Sequence, residues 1–187
     1  MLRAREVSRH GRVLAEVGEG FVHRVLRLRD VGIERELDLE REHTWTWGEL
    51  HEVPSSEFRG DIHCVTTWSK LDTSFAGVSL DVLFEVAKPA AGASHVLATS
   101  TTGYTTNLPL GSLTGGQAWI VWSHEGRPLP AEHGGPVRLL VPHLYFWKSA
   151  KWVTRLTLLD HDQQGFWERN GYHDLGDPWR EQRYQGD

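Results

Sequence analysis

The single cysteine of the chain sits in the run Asp61-Ile62-His63-Cys64-Val65-Thr66-Thr67-Trp68-Ser69-Lys70. A thiolate is a soft ligand that suits a high-valent transition metal. His63 beside it and Lys70 six residues on would hold negative charge nearby. A lone cysteine is more often a small buried core residue, and on this segment alone both readings stand. With one cysteine in the chain, an intrachain disulfide and a zinc site built on several thiolates are excluded.

Three further segments could build a site. Glu132-His133-Gly134-Gly135-Pro136-Val137-Arg138 sets a histidine and an arginine five residues apart around a Gly-Gly-Pro bend. The planar fork of arginine matches phosphate or another anionic oxygen group in bidentate fashion. Leu144 to Trp152 places Lys148 and Lys151 beside Ser149 and Ala150. Small residues let backbone N–H groups approach an anion, and the lysines would add charge. Phe166-Trp167-Glu168-Arg169-Asn170-Gly171-Tyr172-His173, followed by Gly176-Asp177-Pro178-Trp179, is aromatic and polar. Taken singly, the first is a turn, the second a solvated pair of charges and the third packing. The chain has no P-loop, no GxGxxG after a strand, no HExxH pair and no GxSxG elbow.

The elements that must position these residues are partly legible. Val25 to Glu40 reads as two alternating strands joined at Asp30-Val31-Gly32. Thr46-Trp47-Gly48-Glu49 has capping-box spacing, which predicts a short helix ended by Pro54. Ser79 predicts an N-cap, with Leu80, Leu83, Phe84 and Ala87 at helical spacing and Pro89 closing the element. Strands follow at Val96–Ala98, at the apolar run Ala118–Trp122, at Val137–Val141 and at Trp152–Leu159, with a turn at Glu125–Pro128. From Asp160 the chain reads as an ordered wrapping tail. Residues 1–20 read as a mobile N-terminal arm, and residues 21–187 as one domain. The class is α+β with a mixed sheet.

Composition narrows the function further. A chain of 187 residues can bury a substantial core in one domain. Nine tryptophans predict a Trp-rich core, or a rigid aromatic wall around a bound group. The net charge of −5 disfavours nucleic-acid binding, and His23, Arg24, Arg27 and Arg29 read as a solvated face. No apolar run reaches the roughly 18 residues that span a bilayer. Met1 to Glu6 has no apolar leader and no twin-arginine pair, so the cytoplasm is the expected location.

Taken together and in order, these segments resemble the sulfite-oxidase superfamily of oxidoreductase molybdopterin-binding domains, in particular its short stand-alone prokaryotic members. The matching stretches are His63 to Asp72, Gly103 to Leu110, His133 to Arg138, Pro142 to Trp152 and Asp160 to Tyr184. The resemblance implies a single α+β domain with helices flanking one mixed sheet. It implies a molybdenum ion held by the dithiolene of molybdopterin and by Cys64, with His63 against the pterin. His133 stands where sulfite oxidases carry histidine and the methionine-sulfoxide-reductase branch carries asparagine. Arg138 matches its paired arginine, a ligand of the cofactor phosphate. Ser149, Ala150 and Lys151 match a backbone-and-lysine contact to the pterin, and Ser100 or Thr101 falls near another. Tyr172 matches the segment of the active-site tyrosine, where it would position substrate with His173 or Arg169.

The activity so implied is oxygen-atom transfer to or from a small sulfur-containing or similar molecule. The chain has no CxxCH haem motif, so the electron donor or acceptor would be a separate protein, and the expected assembly is a monomer or weak homo-oligomer. Residues 1–20 depart from the usual N-terminal arm of the family. The alternatives are a non-catalytic molybdopterin-binding or carrier protein, and a fold in which Cys64 is only a core thiol.

Overall fold

A computed structural model describes residues 26–30 and 42–187. The N-terminal arm expected over residues 1–20, the His23–Arg24 pair, and the turn and second strand expected after Asp30 lie outside the described residues. The strands in chain order are β1 (Leu26–Asp30), β2 (Glu42–Trp45), β3 (Ser56–His63), β4 (Ser69–Ser79), β5 (His95–Ser100), β6 (Thr105–Pro109), β7 (Trp119–His124), β8 (Arg127–Pro128), β9 (Arg138–Leu140) and β10 (Val153–Leu159). The α-helices are α1 (Trp47–Glu52), α2 (Leu80–Ala87) and α3 (Phe166–Arg169).

The strands form two sheets, which corrects the expectation of one. The first has the order β2-β1-β10-β5-β6; in the second, β3-β4-β7-β8 are joined by β9 on β7. The first is mixed, because β1 runs parallel to β10, and its other pairs are antiparallel. The second is wholly antiparallel. Antiparallel pairing dominates and the helices are short.

Local signals account for several elements. Thr46 accepts from the Glu49 amide while the Glu49 carboxylate accepts from the Thr46 amide, so the capping box closes at both bonds. Ser79 caps α2, which buries Leu80, Leu83 and Phe84 and ends at Lys88 with φ 51°. The strands β2, β3, β4 and β6 were not expected. In β3 only Ile62 is buried, as suits an edge strand, so its alternation is faint. In β6 the buried positions Thr106 and Asn107 are polar and hydrogen-bonded to side chains of the tail.

The main core gathers residues of both sheets and α2, among them Val78, Leu83, Val96, Ile120, Leu139 and Leu156. A second cluster holds Ile62, Phe75, Val121, Leu129 and Leu140, with Phe146 packed against it. Strand alternation explains the division: Ile120 and Leu139 face one way, Val121 and Leu140 the other. Of the nine tryptophans only Trp45 is buried, so the expectation of a Trp-rich core gives way to aromatic surfaces.

Candidate active site

The β3–β4 hairpin presents Cys64. Ile62 pairs with Lys70 and His63 with Ser69, and the Cys64 amide continues the ladder by donating to the Trp68 carbonyl at 2.9 Å. Residues opposite each other share a face, so Ile62, Cys64 and Lys70 share one and His63 and Ser69 the other. His63 accordingly meets Ser69 Oγ at 2.8 Å and packs its ring on Trp179, 5.1 Å away. Cys64 is half-buried and unpaired in any disulfide, and its Sγ lies 3.1 Å from Thr66 Oγ1. It is therefore not a core thiol.

Arg138 reaches the same side of the second sheet. Leu140 packs with Ile62 in the second cluster, and Arg138 lies two residues before Leu140, as Cys64 lies two residues after Ile62. The bend before Arg138 depends on glycine. Gly134 has φ 105°, and a Cβ on Gly135 would lie 2.1 Å from the Leu129 carbonyl oxygen. Arg138 is buried, donates to the carbonyls of His133 (3.0 Å) and Ser149 (2.7 Å), and lies 4.1 Å above the Phe146 ring centroid. Its Nε is buried with no partner. Burial pushes the guanidinium down to about 10, which leaves it charged at neutral pH.

Beside Arg138 opens a cavity of about 300 Å³. Its polar lining includes Ser100, Arg138, Ser149 and Lys151, and its walls are Tyr104, Phe146, Trp147, Trp152 and Trp167. The segment 149–151 is held against β9, since Leu139 N donates to the Ala150 carbonyl and Arg138 bridges to Lys151. Ser149 Oγ accepts from the Val141 amide at 2.9 Å, and Ser100 Oγ donates to the Lys151 carbonyl. Lys151 Nζ donates to the Glu132 carbonyl at 2.8 Å, and burial and the Arg138 charge push its pKa down.

The structure thus brings Ser100, Arg138, Ser149, Ala150 and Lys151 together around one cavity. Thr101 is exposed at its edge, tied by its amide to the Trp152 carbonyl. His133 is exposed and meets Arg138 through its carbonyl. Cys64, His63 and Tyr172 do not line the cavity itself. Tyr172 abuts two of its walls, with ring centroids 5.1 Å from Trp147 and 4.9 Å from Trp167. The tail reaches the Cys64 hairpin as well, where Arg183 Nη1 donates to the Val65 carbonyl at 2.7 Å.

One sequence expectation needs correction. Lys148 adds no charge to an anion site: it is fully buried and paired with Glu168 at 2.7 Å. His173 accepts from the amides of Leu175 and Gly176, and Arg169 contacts the Gln164 carbonyl. Lys70 contacts Glu125 at 2.6 Å and His124 at 3.2 Å, and Thr73 Oγ1 lies 2.8 Å from the same His124 nitrogen. Burial first, and then the Lys70 charge, holds His124 below its ordinary range. This cluster was missed because its two halves, Lys70 with Thr73 and His124 with Glu125, lie more than 50 residues apart in the chain. The aromatic walls were missed individually, although the tryptophan count signalled them.

The residues fit a flat, phosphate-bearing ligand. A buried, charged and incompletely paired guanidinium calls for an anion. Aromatic walls suit a planar ring system, and Ala150 and Ser149 permit close backbone approach. Among the described residues no cluster of three or more His, Cys, Asp or Glu side chains forms a metal site. Among the same residues no helix is long and apolar enough to cross a membrane.

Comparison with known proteins gives the family of the chain. The family model described as "Oxidoreductase molybdopterin binding domain" matches residues 29–167. The uncharacterized oxidoreductase YuiH of Bacillus subtilis is 46% identical over 134 residues, which cover 72% of this chain and 68% of that protein. Mitochondrial sulfite oxidase of Rattus norvegicus is 33% identical over 73 residues, 38% of this chain but 13% of that protein. The crystal structure of the sulfane dehydrogenase SoxCD from Paracoccus pantotrophus matches with a TM-score of 0.63 at 20% identity, over 78% of this chain and 40% of that chain. The likeness to SoxCD concerns the fold alone. The chain belongs to the oxidoreductase molybdopterin binding domain family, within the sulfite-oxidase superfamily, and molybdopterin is its cofactor.

Proposed function

We propose that this chain is a molybdenum-dependent oxidoreductase that transfers an oxygen atom to or from a small sulfur-containing or similar substrate. One observation carries the reading above the others. The buried Arg138, with its Nε unpartnered, stands in the wall of an aromatic cavity that Ser149, Ala150 and Lys151 also line. A flat ligand ending in a phosphate satisfies the charge, the open donor and the walls together.

In this reading Arg138 and Lys151 bind the phosphate, and His133 supports Arg138 through its backbone. Ser100, Thr101, Ser149 and Ala150 hold the pterin edge. Trp147, Trp152 and Trp167 would wall it and shield it from water, which would strengthen each charged contact. Cys64 is the thiolate ligand of the molybdenum, whereas the His63 side chain lies on the other face of the hairpin, against Trp179. Tyr172 orients substrate from its place against Trp147 and Trp167. When bound, the cofactor supplies two-electron exchange coupled to oxygen-atom transfer. A separate protein donates or accepts the electrons.

The test is elemental analysis of the purified protein, with release and identification of the pterin, followed by turnover with an artificial electron donor or acceptor. The expected result is stoichiometric molybdenum with redox activity. Pterin with no redox-active metal would favour a carrier and overturn the enzyme reading.

A further inference from the structure

Lys148 and Glu168 form a fully buried ion pair, 2.7 Å apart. Apolar replacements of such a pair are often neutral or stabilising, so stability alone does not explain its presence. Glu168 Oε2 is also buried without a partner, a cost that a packing role would not carry. One further contact of Glu168 leads to the cavity, through Trp147 in its wall. Glu168 Oε1 accepts from the Trp147 indole N–H at 3.0 Å and from Thr106 Oγ1 at 2.9 Å. Lys148 donates to the Asp174 carbonyl at 2.6 Å and to Asn107 on β6, tying the tail that carries Tyr172 to the first sheet.

Trp147 is held from several other sides. Tyr104 donates its hydroxyl to the Trp147 carbonyl at 2.7 Å. Tyr145 stacks on the indole at 5.4 Å, and Tyr172 meets it edge-on at 5.1 Å. Gly176 leaves room for it, since a Cβ there would lie 2.7 Å from the indole Cζ2. The hydrogen bond of the indole itself is the one from Nε1 to Glu168, which adds a directional contact to this packing.

We propose that Glu168 is a positioning residue: by accepting the Trp147 indole N–H it sets the cavity wall against which the pterin lies and, through Trp147, the ring of Tyr172, while Lys148 neutralises its charge. The inference rests on the cofactor reading of this cavity.

Two charge-neutral double variants isolate the acceptor. Lys148→Met with Glu168→Gln keeps an oxygen for the Trp147 N–H; Lys148→Met with Glu168→Leu does not. The full chain, labelled with 5-fluorotryptophan and free of cofactor, is examined for the fluorine signal of Trp147, assigned by its loss in Trp147→Phe. Affinity for molybdopterin is measured on the same samples. The expected result is a wild-type signal and affinity in the Gln variant. The Leu variant shifts or broadens the signal and loses about tenfold in affinity. Identical signals and affinities in the two variants overturn the proposal.

Where a double variant fails to fold, Trp147→Phe decides, because Glu168 there keeps Thr106 and Lys148. An affinity loss of about tenfold supports the role, and unchanged affinity overturns it. A wild-type protein that binds no molybdopterin sinks the cofactor reading. The fluorine comparison still judges the hold of Glu168 on Trp147.

Discussion

Arg138 Nη2 donates to the carbonyl oxygen of Ser149 at 2.7 Å, which makes the Gly-Gly-Pro bend and the 149–151 segment one unit. Arg138→Lys keeps a charge but loses the fork. The two carbonyls cannot both be satisfied while an anion is held. Molybdopterin content on purification is expected to fall about tenfold or more, with about 1–3 kcal/mol lost in unfolding stability. Pterin content equal to wild type would remove Arg138 from the proposed phosphate site.

Cys64 is half-buried and its sulfur meets Thr66 Oγ1. Cys64→Ser is nearly isosteric, so unfolding stability should stay within about 0.5 kcal/mol of wild type. Oxygen-atom transfer should be lost even where pterin is retained. Full turnover by the variant would end the proposed ligand role.

Tyr172 contacts Trp147, Trp167 and Tyr184 through its ring. Tyr172→Phe retains those contacts and should leave the melting temperature unchanged. Turnover should fall by about 10²-fold if the hydroxyl acts on the substrate. Unaltered kcat and KM would make the residue a packing element only.

Gly165 lets the tail lie directly on β6. A Cβ there would stand 2.4 Å from Thr106 Cα, 2.5 Å from the Thr105 carbonyl oxygen and 2.6 Å from Glu168 Oε2. Because two of these neighbours are backbone, Gly165→Ala should cost about 1–3 kcal/mol in chemical denaturation. The same variant should loosen the Trp147 wall, seen as reduced pterin retention. An unchanged denaturation midpoint would contradict the close docking.

His124 and His143 are both held below the ordinary histidine value of 6.5, chiefly by burial. Around His124, Lys70, His133 and Arg138 push the same way and Glu125 opposes them. A histidine depressed in the folded state takes up more protons unfolded than folded as pH falls past its ordinary value. Stability is then lost on acidification and is fully present above that value. The urea midpoint should therefore drop between pH 7.5 and 5.5, and a His124→Gln, His143→Gln double variant should flatten the slope. Equal slopes in the two proteins would refute this origin.

Much of the site was legible because it depends on residue type and short-range order. A thiol, a Gly-Gly-Pro bend with an arginine after it, and small residues beside a lysine are chemical facts of the chain. The capping box at Thr46 and the helical spacing from Leu80 are equally local, and both formed as read. The hairpin carrying Cys64 was not legible. Its edge strand buries only Ile62, so the alternation that marks a strand is nearly absent. The second sheet was missed for another reason: β7 and β9 were read as strands, but the partition of strands between sheets is set by pairings distant in the chain.

What the sequence determined by itself was the set of chemical groups and their order: Cys64, Arg138, Ser149 to Lys151, and an aromatic tail. The tertiary structure alone decided which of them meet. Lys148 and Lys151 are three residues apart and look alike in sequence, yet one is sealed against Glu168 and the other lines the cavity. Their roles diverge because burial and partner choice come from residues far along the chain. A charge in the interior is stable only where such distant partners converge on it.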